Sequence, residues 1–287
     1  MNRGPMARVT TRVGSLPLGL GPNPVLMGIL NVTPDSFSDG GEFFGAEPAV
    51  ARAGKMLDEG ARMVDVGGES TRPGSEPVSP EEELRRVMPV VRGILESRPE
   101  TIISIDTYRA STAEVALDAG AQVVNDVTAL RGDPKMAGVV AERGCPVVLM
   151  HMLGEPKTMQ KAPRYEDVVR EVRDFLAGRA EHAVKAGVEK ENIILDPGIG
   201  FGKTLEHNLA LLNRLDALVE LGFPVLIGAS RKSFLGKIVG CDNAKDRLFG
   251  TIATTVLAYG LGVNLFRVHD IRANREALKV AMAVRGA

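Results

Sequence analysis

Residues 102–126 read IISIDTYRASTAEVALDAGAQVVND, and this stretch contains one strand–helix–strand unit. Its two short apolar runs, Ile102–Ile105 and Gln122–Asn125, predict strands, and the longer segment between them ends on a glycine, as helices often do. Polar residues follow each run directly, with Asp106 after the first and Asp126 after the second. The stretch therefore predicts a β/α unit with polar side chains at the carboxyl ends of its strands.

The same unit recurs along the chain. Between the apolar runs lie longer segments whose apolar residues recur at helical spacing, which predicts helices with one buried face. The predicted strands are Val25–Leu30, Met63–Val66, Ile102–Ile105, Gln122–Asn125, Val147–Met150, Ile193–Leu195, Val225–Gly228 and Leu265–Val268. Eight such units in about 260 residues predict an α/β fold, a (β/α)8 TIM barrel, and a doubly wound open sheet is the competing architecture.

Composition limits the classes of partner. The 35 Lys and Arg residues balance 36 Asp and Glu residues, which gives no electrostatic signal for nucleic acid or for a membrane surface. The two cysteines are too few for a disulfide framework, and no apolar run approaches the roughly 18 residues of a membrane span. We expect a cytoplasmic protein with one barrel domain at 25–287, and a Gly- and Pro-rich leader of unclear role at 1–24.

Polar motifs follow the predicted strands, whereas the turns that precede the strands are plain. The motifs are Asn31 to Gly41, Gly67 to Gly74, Asp106-Thr107, Asn125-Asp126, His151, Asp196 to Lys203, Ser230 to Ser233 and Arg267 to Asp270. Strand carboxyl ends share one mouth in a barrel, so these residues should converge there on an active face. The first two loops are long, polar and rich in Gly and Pro, which predicts mobile covers over the C-terminal mouth.

Each motif also has a purely structural interpretation. Asp196-Pro197-Gly198 fits a simple turn, and Asp106 fits the cap of the next helix. Asn125-Asp126 fits a capped loop, and His151 fits a polar residue with satisfied hydrogen bonds at the barrel rim. Lys203 is interpreted as a solvated or helix-end charge. Only the joint placement of the motifs at one mouth favours function.

Three hydrogen-bond acceptors, Asp106, Asn125 and Asp196, lie at the ends of neighbouring predicted strands. Buried carboxylates need donor-rich partners, and a flat heterocycle with several N–H groups would supply them. The alternating glycines after Asp196 lack the spacing and the acidic partner of a dinucleotide site. The three acceptors therefore predict a binding floor for a heterocyclic ring.

A cationic set predicts a second subsite. Arg72, Lys232, Arg267 and His269 suit a phosphate or diphosphate, because cations stabilise phosphate oxygens. Asn31 and nearby loop oxygens could hold Mg²⁺, which binds through few protein ligands together with substrate phosphates. The two sets predict facing halves, an acceptor floor and a cationic rim.

The longer motifs resemble those of the dihydropteroate synthase family over about residues 25–270, in the segments Asn31 to Gly41, Gly67 to Gly74, Asp196 to Lys203, Ser230 to Ser233 and Arg267 to Asp270. The family joins 6-hydroxymethyl-7,8-dihydropterin diphosphate to 4-aminobenzoate and releases diphosphate. The resemblance therefore implies a folate-pathway transferase that uses Mg²⁺ and forms a homodimer. Apolar-rich helices around Thr251–Leu261 and Ile271–Val284 are consistent with a dimer. Only Arg62, Met63 and Leu153 depart from the family pattern, away from the expected chemistry.

The resemblance also implies residue roles. The pterin ring would contact Asp106, Asn125, Asp196, Lys232 and Phe201, of which Asp106, Asp196 and Lys232 are the expected catalytic residues. The diphosphate would contact Asn31, Arg267 and His269, with Asn31 also binding Mg²⁺. The aminobenzoate site would be shaped by Phe37, Thr71, Arg72, Pro73 and Ser233. Because an aniline nitrogen is a weak nucleophile, a dissociative path through a pterin cation is chemically sensible, with both loops closed against water.

Three other functions stay in view. The pterin-binding domain of corrinoid methyltransferases has similar ring-binding carboxylates but needs no diphosphate site. A Schiff-base aldolase would use Lys232 as its amine. A ligand-binding module without activity would leave the cations beside the carboxylates unexplained.

Overall fold

The structure is a computed structural model, and it describes residues 23–33, 46–70 and 74–286. Its strands are β1 Val25–Asn31, β2 Met63–Gly67, β3 Ile102–Asp106, β4 Val123–Asp126, β5 Val147–Met150, β6 Ile193–Asp196, β7 Leu226–Ile227 and β8 Leu265–Val268. All paired strands are parallel, in the order β6-β5-β4-β3-β2-β1-β8-β7. A bridge between Leu195 and Val225 joins the two ends of the sheet. The barrel prediction is therefore confirmed, and the open sheet is wrong.

Helices surround the barrel. They are α1 Ala46–Glu59, α2 Pro80–Ser97, α3 Ala110–Asp118, α4 Met136–Arg143, α5 Val168–Lys185, α6 Leu205–Asn213, α7 Asp216–Val219, α8 Ser233–Val239, α9 Leu248–Gly260 and α10 Ile271–Gly286. The start of α2 is set locally, because the Ser79 hydroxyl accepts from the Glu82 amide and Pro80 occupies the first turn. Buried Val87 and Val91 then direct one face of α2 to the sheet.

The predicted strands all appear, and the seventh is shorter than expected. It contains Leu226–Ile227 rather than Val225–Gly228, because Val225 makes a single bridge to β6 instead of a continuous ladder. The carboxyl ends of the strands lie together at one end of the barrel, and the polar motifs follow the strands there. None of the helices in the described ranges combines the length and apolar character that crossing a bilayer requires.

An apolar layer closes the inside of the barrel at the amino ends of the strands. Successive side chains of a strand alternate between its faces, so every second residue points inward. The buried inward cluster consists of Val25, Met27, Met63, Ile102, Val123, Val148, Ile194, Leu226 and Leu265. Fully burying one such side chain contributes about 1.5–3 kcal/mol, so this layer forms a stable base beneath the mouth.

Candidate active site

Polar side chains replace apolar ones directly above that layer. Two residues farther along β2, β4, β6 and β8, the inward positions carry Asp65, Asn125, Asp196 and Arg267. Asp106 lies at the end of β3, in register with Asn125 on β4. We call these five residues the polar layer. The sequence-predicted acceptors Asp106, Asn125 and Asp196 therefore belong to one inward-facing surface at the mouth.

Arg267 lies between two carboxylates of the polar layer. Its Nε donates to Asp65 Oδ2 at 2.6 Å, and its Nη2 donates to Asp106 Oδ2 at 2.8 Å. The Arg267 side chain is 20% exposed, whereas the Asp65 side chain is fully buried. The expected separation into an acceptor floor and a cationic rim is therefore wrong, because this cation is part of the floor.

Asp65 is a site residue that the sequence reasoning missed. Besides Arg267, its Oδ2 accepts from Asn125 Nδ2 at 3.0 Å. An ionised carboxylate only accepts hydrogen bonds, so it fixes which way the Asn125 amide points and leaves the amide oxygen as the group available to a ligand. The available signal was a lone acidic residue in the apolar strand Met63–Gly67.

Asp106 does not cap the following helix. That helix begins at Ala110, whose amide donates to Asp133 Oδ2 at 2.9 Å. Burial and then the charge of Asp65 raise the pKa of Asp106, while Arg267 opposes them. The capping interpretation is correct for Asp126 instead, because its carboxylate accepts from the Thr128 and Leu130 amides.

Asp196 begins a tight loop at the end of β6. Its Oδ1 accepts from the Gly198 amide at 2.7 Å, so the turn interpretation is confirmed together with the inward placement. Gly198 has φ +63°, and a Cβ there would lie 1.9 Å from the carbonyl oxygen of His151. Only glycine fits this close approach. Burial raises the pKa of Asp196, and the Lys232 charge opposes that shift.

Lys232 reaches the same loop from the other side. Its Nζ lies 4.4 Å from the centre of the Phe201 ring and donates to the Ile199 carbonyl. Burial lowers the pKa of Lys232 to about 8, while the charge of Asp196 opposes the shift. Lys232, Phe201 and Asp196 therefore lie together on one wall of the mouth.

Lys203 is buried, so its interpretation as a solvated charge is wrong. The residue is 3% exposed, and its ammonium donates to His151 Nδ1 at 2.9 Å. The interpretation of His151 as a satisfied polar residue is confirmed, because its ring is buried with this partner. One property could have indicated the burial of Lys203 from the sequence. A lysine side chain is long, and its apolar stem allows the charge to lie deep in a loop.

Burial and the Lys203 charge lower the pKa of His151 to about 3, from 6.5. Below pH 6.5 the His151 ring binds a proton in the unfolded chain, but in the folded protein it stays neutral down to about pH 3. The free energy of unfolding therefore falls as the pH falls from 6.5 toward 3. We expect this residue to lower the free energy of unfolding by up to about 1.4 kcal/mol for each pH unit in that range. Urea unfolding at pH 7.5 and 5.5 should show a shallower loss for His151→Gln than for the unaltered protein. Parallel losses would contradict the assignment.

The remaining predicted residues lie around the rim. Asn31 ends β1, and Ser233 is the exposed first residue of α8. His269 Nδ1 lies 2.9 Å from Ser230 Oγ, which also accepts from the His269 amide. The end of β8 therefore contributes to both parts of the mouth: Arg267 lies in the floor, and His269, two residues later, lies at the rim. Of the other predicted residues, four lie outside the described ranges: Phe37, Thr71, Arg72 and Pro73.

Comparison with known proteins identifies the family. A family model described as pterin binding enzyme matches residues 27–269. The dihydropteroate synthase of Synechocystis is 46% identical over 272 residues, which cover 95% of this chain and 94% of that protein. The solved dihydropteroate synthase of Xanthomonas albilineans with 4-aminobenzoic acid has a TM-score of 0.87 at 46% identity, covering 92% of this chain and 94% of that one. This chain belongs to the dihydropteroate synthase family.

A second solved member is similar over nearly the whole chain. The dihydropteroate synthase of Xanthomonas albilineans in complex with 7,8-dihydropteroate covers 95% of this chain and 96% of that one, at 43% identity and a TM-score of 0.85. Similarity on this scale includes every strand that carries the polar layer. It favours the dihydropteroate synthase interpretation over the corrinoid methyltransferase and aldolase alternatives.

In this dihydropteroate synthase family member, an ionic cluster anchors the base of the second loop. Arg109 donates to Glu69 Oε2 at 2.7 Å and to Glu83 Oε2 at 2.9 Å. It also donates to the Val78 carbonyl at 2.7 Å, so one guanidinium holds both ends of residues 69–78. The segment that contains Thr71, Arg72 and Pro73 therefore starts and ends on a common support.

Proposed function

We propose that this protein condenses 6-hydroxymethyl-7,8-dihydropterin diphosphate with 4-aminobenzoate, giving 7,8-dihydropteroate and diphosphate in folate biosynthesis. One observation carries the proposal. The acceptors Asp106, Asn125 and Asp196 line a barrel mouth together with the cations Arg267 and Lys232. A dihydropterin diphosphate matches this arrangement, because it joins a donor-rich ring to an anionic leaving group.

The pterin ring would lie on the polar layer. The amide oxygen of Asn125 is oriented toward the ligand by Asp65, and the carboxylates of Asp106 and Asp196 accept from ring N–H groups. Lys232 would donate to the ring from above Phe201, and its pKa of about 8 leaves the ammonium mostly protonated at neutral pH. Asp106, Asp196 and Lys232 are the proposed catalytic residues.

The diphosphate would lie against Arg267 and His269, with Asn31 at the adjoining strand end. Within the described residues, no three His, Cys, Asp or Glu side chains converge as a metal site. An amide oxygen such as that of Asn31 is a hard ligand that suits Mg²⁺, which can take its other ligands from water and phosphate. When bound, Mg²⁺ would neutralise charge on the leaving diphosphate.

The 4-aminobenzoate would bind nearer the surface. Ser233, exposed at the start of α8, is the described residue of this subsite, and the others proposed for it are Phe37, Thr71, Arg72 and Pro73. The solved dihydropteroate synthase with 4-aminobenzoic acid supports this class of co-substrate. The anchored base of residues 69–78 would hold the second loop next to it.

The chemistry follows from the charges. The bond between the pterin methylene and the diphosphate oxygen breaks, and its electron pair leaves with diphosphate. Arg267 and His269 stabilise that negative charge, while Asp106 and Asp196 stabilise the positive pterin methylene. The aniline nitrogen then forms the new C–N bond and releases one proton to solvent. No strong general base is required, since the aniline nitrogen attacks an already cationic carbon.

The direct test is an assay of the purified protein with the pterin diphosphate, 4-aminobenzoate and Mg²⁺. We expect equal amounts of dihydropteroate and diphosphate, detected by chromatography and by a coupled diphosphate assay. Omitting either organic substrate is the control. Binding of the pterin without any product in the complete mixture would contradict the proposed reaction.

Removal of Mg²⁺ should depress turnover. We expect a loss of at least about tenfold in a chelator, restored by added Mg²⁺, because an unscreened diphosphate is a poorer leaving group. The Asn31→Ala variant should need more Mg²⁺ for half-maximal rate while retaining its fold. Full activity of metal-stripped protein in chelator would contradict the metal role.

We also propose a homodimer that uses the outer faces of α9 and α10. Phe249 and Leu257 on α9 are 81% and 68% exposed, and Val280 and Val284 on α10 are also exposed. Apolar exposure of this extent on adjoining helices is typical of an interface. Sedimentation should show a dimer, and Leu257→Glu should shift it toward monomer. A monomer at every concentration of the unaltered protein would contradict the proposal.

We further propose that residues 25–287 act as one pterin-binding domain in the cytoplasm, with no role assigned to residues 1–24. Support for the domain comes from the match to the family model over 27–269. Support for the location comes from the two cysteines, Cys145 and Cys241, which are both unpaired.

A further inference from the structure

The ammonium of Lys203 lies inside the protein, between the loops that follow β5 and β6. Its Nζ donates to the carbonyl oxygens of Phe201 at 2.9 Å and Gly198 at 3.0 Å, and to His151 Nδ1 at 2.9 Å. An ammonium has three protons, so each has an acceptor at ordinary hydrogen-bond distance. Burial lowers the pKa of Lys203 to about 7, and the three acceptors around its Nζ favour the protonated form near neutral pH.

His151 is suited to be one of those partners. Its low pKa keeps the ring neutral at physiological pH, so Nδ1 can accept the lysine proton while Nε2 carries the ring hydrogen. The His151 amide also donates to the Asp196 carbonyl at 2.9 Å. The histidine therefore joins the loop after β5 to the strand that ends in Asp196.

The two carbonyls bound by Lys203 belong to the segment that forms the pterin wall. Gly198 binds the Asp196 carboxylate through its amide, and Phe201 packs against the Lys232 ammonium. Asn208 of α6 holds the middle of the same segment, because its Oδ1 accepts from the Gly200 amide at 2.6 Å. Without the lysine, the carbonyls of Gly198 and Phe201 would lack these charged donors.

We propose that Lys203 is a positioning residue for pterin binding, which holds residues 196–202 so that Asp196 and Phe201 keep their places in the wall. This inference rests on the proposed function, since it assumes that the wall binds the pterin. Lys203 is 3% exposed and its Nζ is bound to His151, Gly198 and Phe201, so it acts through Asp196 and Phe201. Its effect should therefore fall on one substrate more than on the other.

The test compares Lys203→Met, in the loop that follows β6, with a control just before β6. In the control, Asn192→Ala, the buried residue loses a partly buried hydrogen bond from its Nδ2 to the Gly144 carbonyl. Calorimetry would measure binding of the pterin diphosphate, and steady-state kinetics would measure KM for 4-aminobenzoate at saturating pterin. Thermal unfolding of both variants would report their stability.

We expect Lys203→Met to bind the pterin diphosphate about 30-fold more weakly, the loss typical of hydrogen bonds to a charged group. Its KM for 4-aminobenzoate should stay within about threefold of the unaltered value. Asn192→Ala should lower the unfolding temperature with pterin binding unchanged. If Lys203→Met does not fold, Lys203→Gln, which keeps two amide protons, should show a smaller selective loss of pterin binding.

The other possible results separate the inference from its premise. Equal weakening for both substrates, or the same weakening in Asn192→Ala, would show a purely structural lysine and overturn the inference. Unchanged pterin binding in the folded Lys203 variant would also overturn it. Failure of the unaltered protein to bind the pterin diphosphate would instead overturn the proposed function.

Discussion

Asp196→Asn should lose on the order of 10²-fold in kcat/KM, through weaker pterin binding and slower turnover. One carboxylate oxygen of Asp196 accepts from the Gly198 amide, and the residue is buried at the barrel mouth. If the new amide keeps its oxygen on Gly198, its NH2 group occupies the other acceptor position. That group would oppose the N–H groups of the pterin ring, and the negative charge that stabilises the pterin cation would be gone.

The measurement is steady-state kinetics with both substrates varied, together with calorimetric binding of the pterin diphosphate. Asp174→Asn is a matched control, since it makes the same chemical change on an exposed side chain of α5. The control should behave as the unaltered protein does. Unchanged kinetics in folded Asp196→Asn would remove Asp196 from the site.

The barrel could be predicted from sequence because its signals are local. Each β/α unit combines a short apolar run with an amphipathic helix, as in β3 and α3, and eight repeats leave few ways to close a parallel sheet. The inward placement of Asn125 and Asp196 followed from their positions at the ends of predicted strands. The two-residue length of β7 could not be predicted, because it depends on the pairing of Val225, which makes only an isolated bridge to β6.

The electrostatics of the mouth could not be predicted, because they depend on contacts between distant residues. Arg267 and Asp106 are 161 residues apart, and their ion pair is a property of the closed barrel. The sequence indicated a cationic set and an acceptor set, but no local pattern shows that one cation lies among the acceptors. Lys203 was misassigned for the same reason, since its burial arises from the loop around His151, 52 residues away.

Asp65→Asn should lower the free energy of unfolding by about 3 kcal/mol, the low end of the range for breaking a buried ion pair. Asp65 is fully buried and accepts from both Arg267 and Asn125 through Oδ2. The neutral amide keeps the volume of the side chain but removes the charge that offsets the guanidinium. The second partner of Arg267, Asp106, remains and limits the loss.

The same substitution should lower the pKa of Asp106. The charge of Asp65 is the second largest cause that raises it, after burial, and the freed guanidinium would then act on Asp106 alone. A carboxyl-carbon NMR titration of both proteins measures this shift. An upward shift, or none, would show that the two carboxylates do not share the guanidinium.

Asp118→Asn provides the matched control for stability. It removes the carboxylate from an exposed ion pair, Arg143 to Asp118, in which the aspartate is 62% exposed. Surface pairs contribute about 0–1 kcal/mol, so urea unfolding of this variant should barely change. If Asp65→Asn unfolded at the same urea concentration as the control, Asp65 would not be the residue that holds Arg267 and Asn125 in place. A clear difference would instead show that Asp65, within the polar layer, stabilises the barrel through its bonds to Arg267 and Asn125.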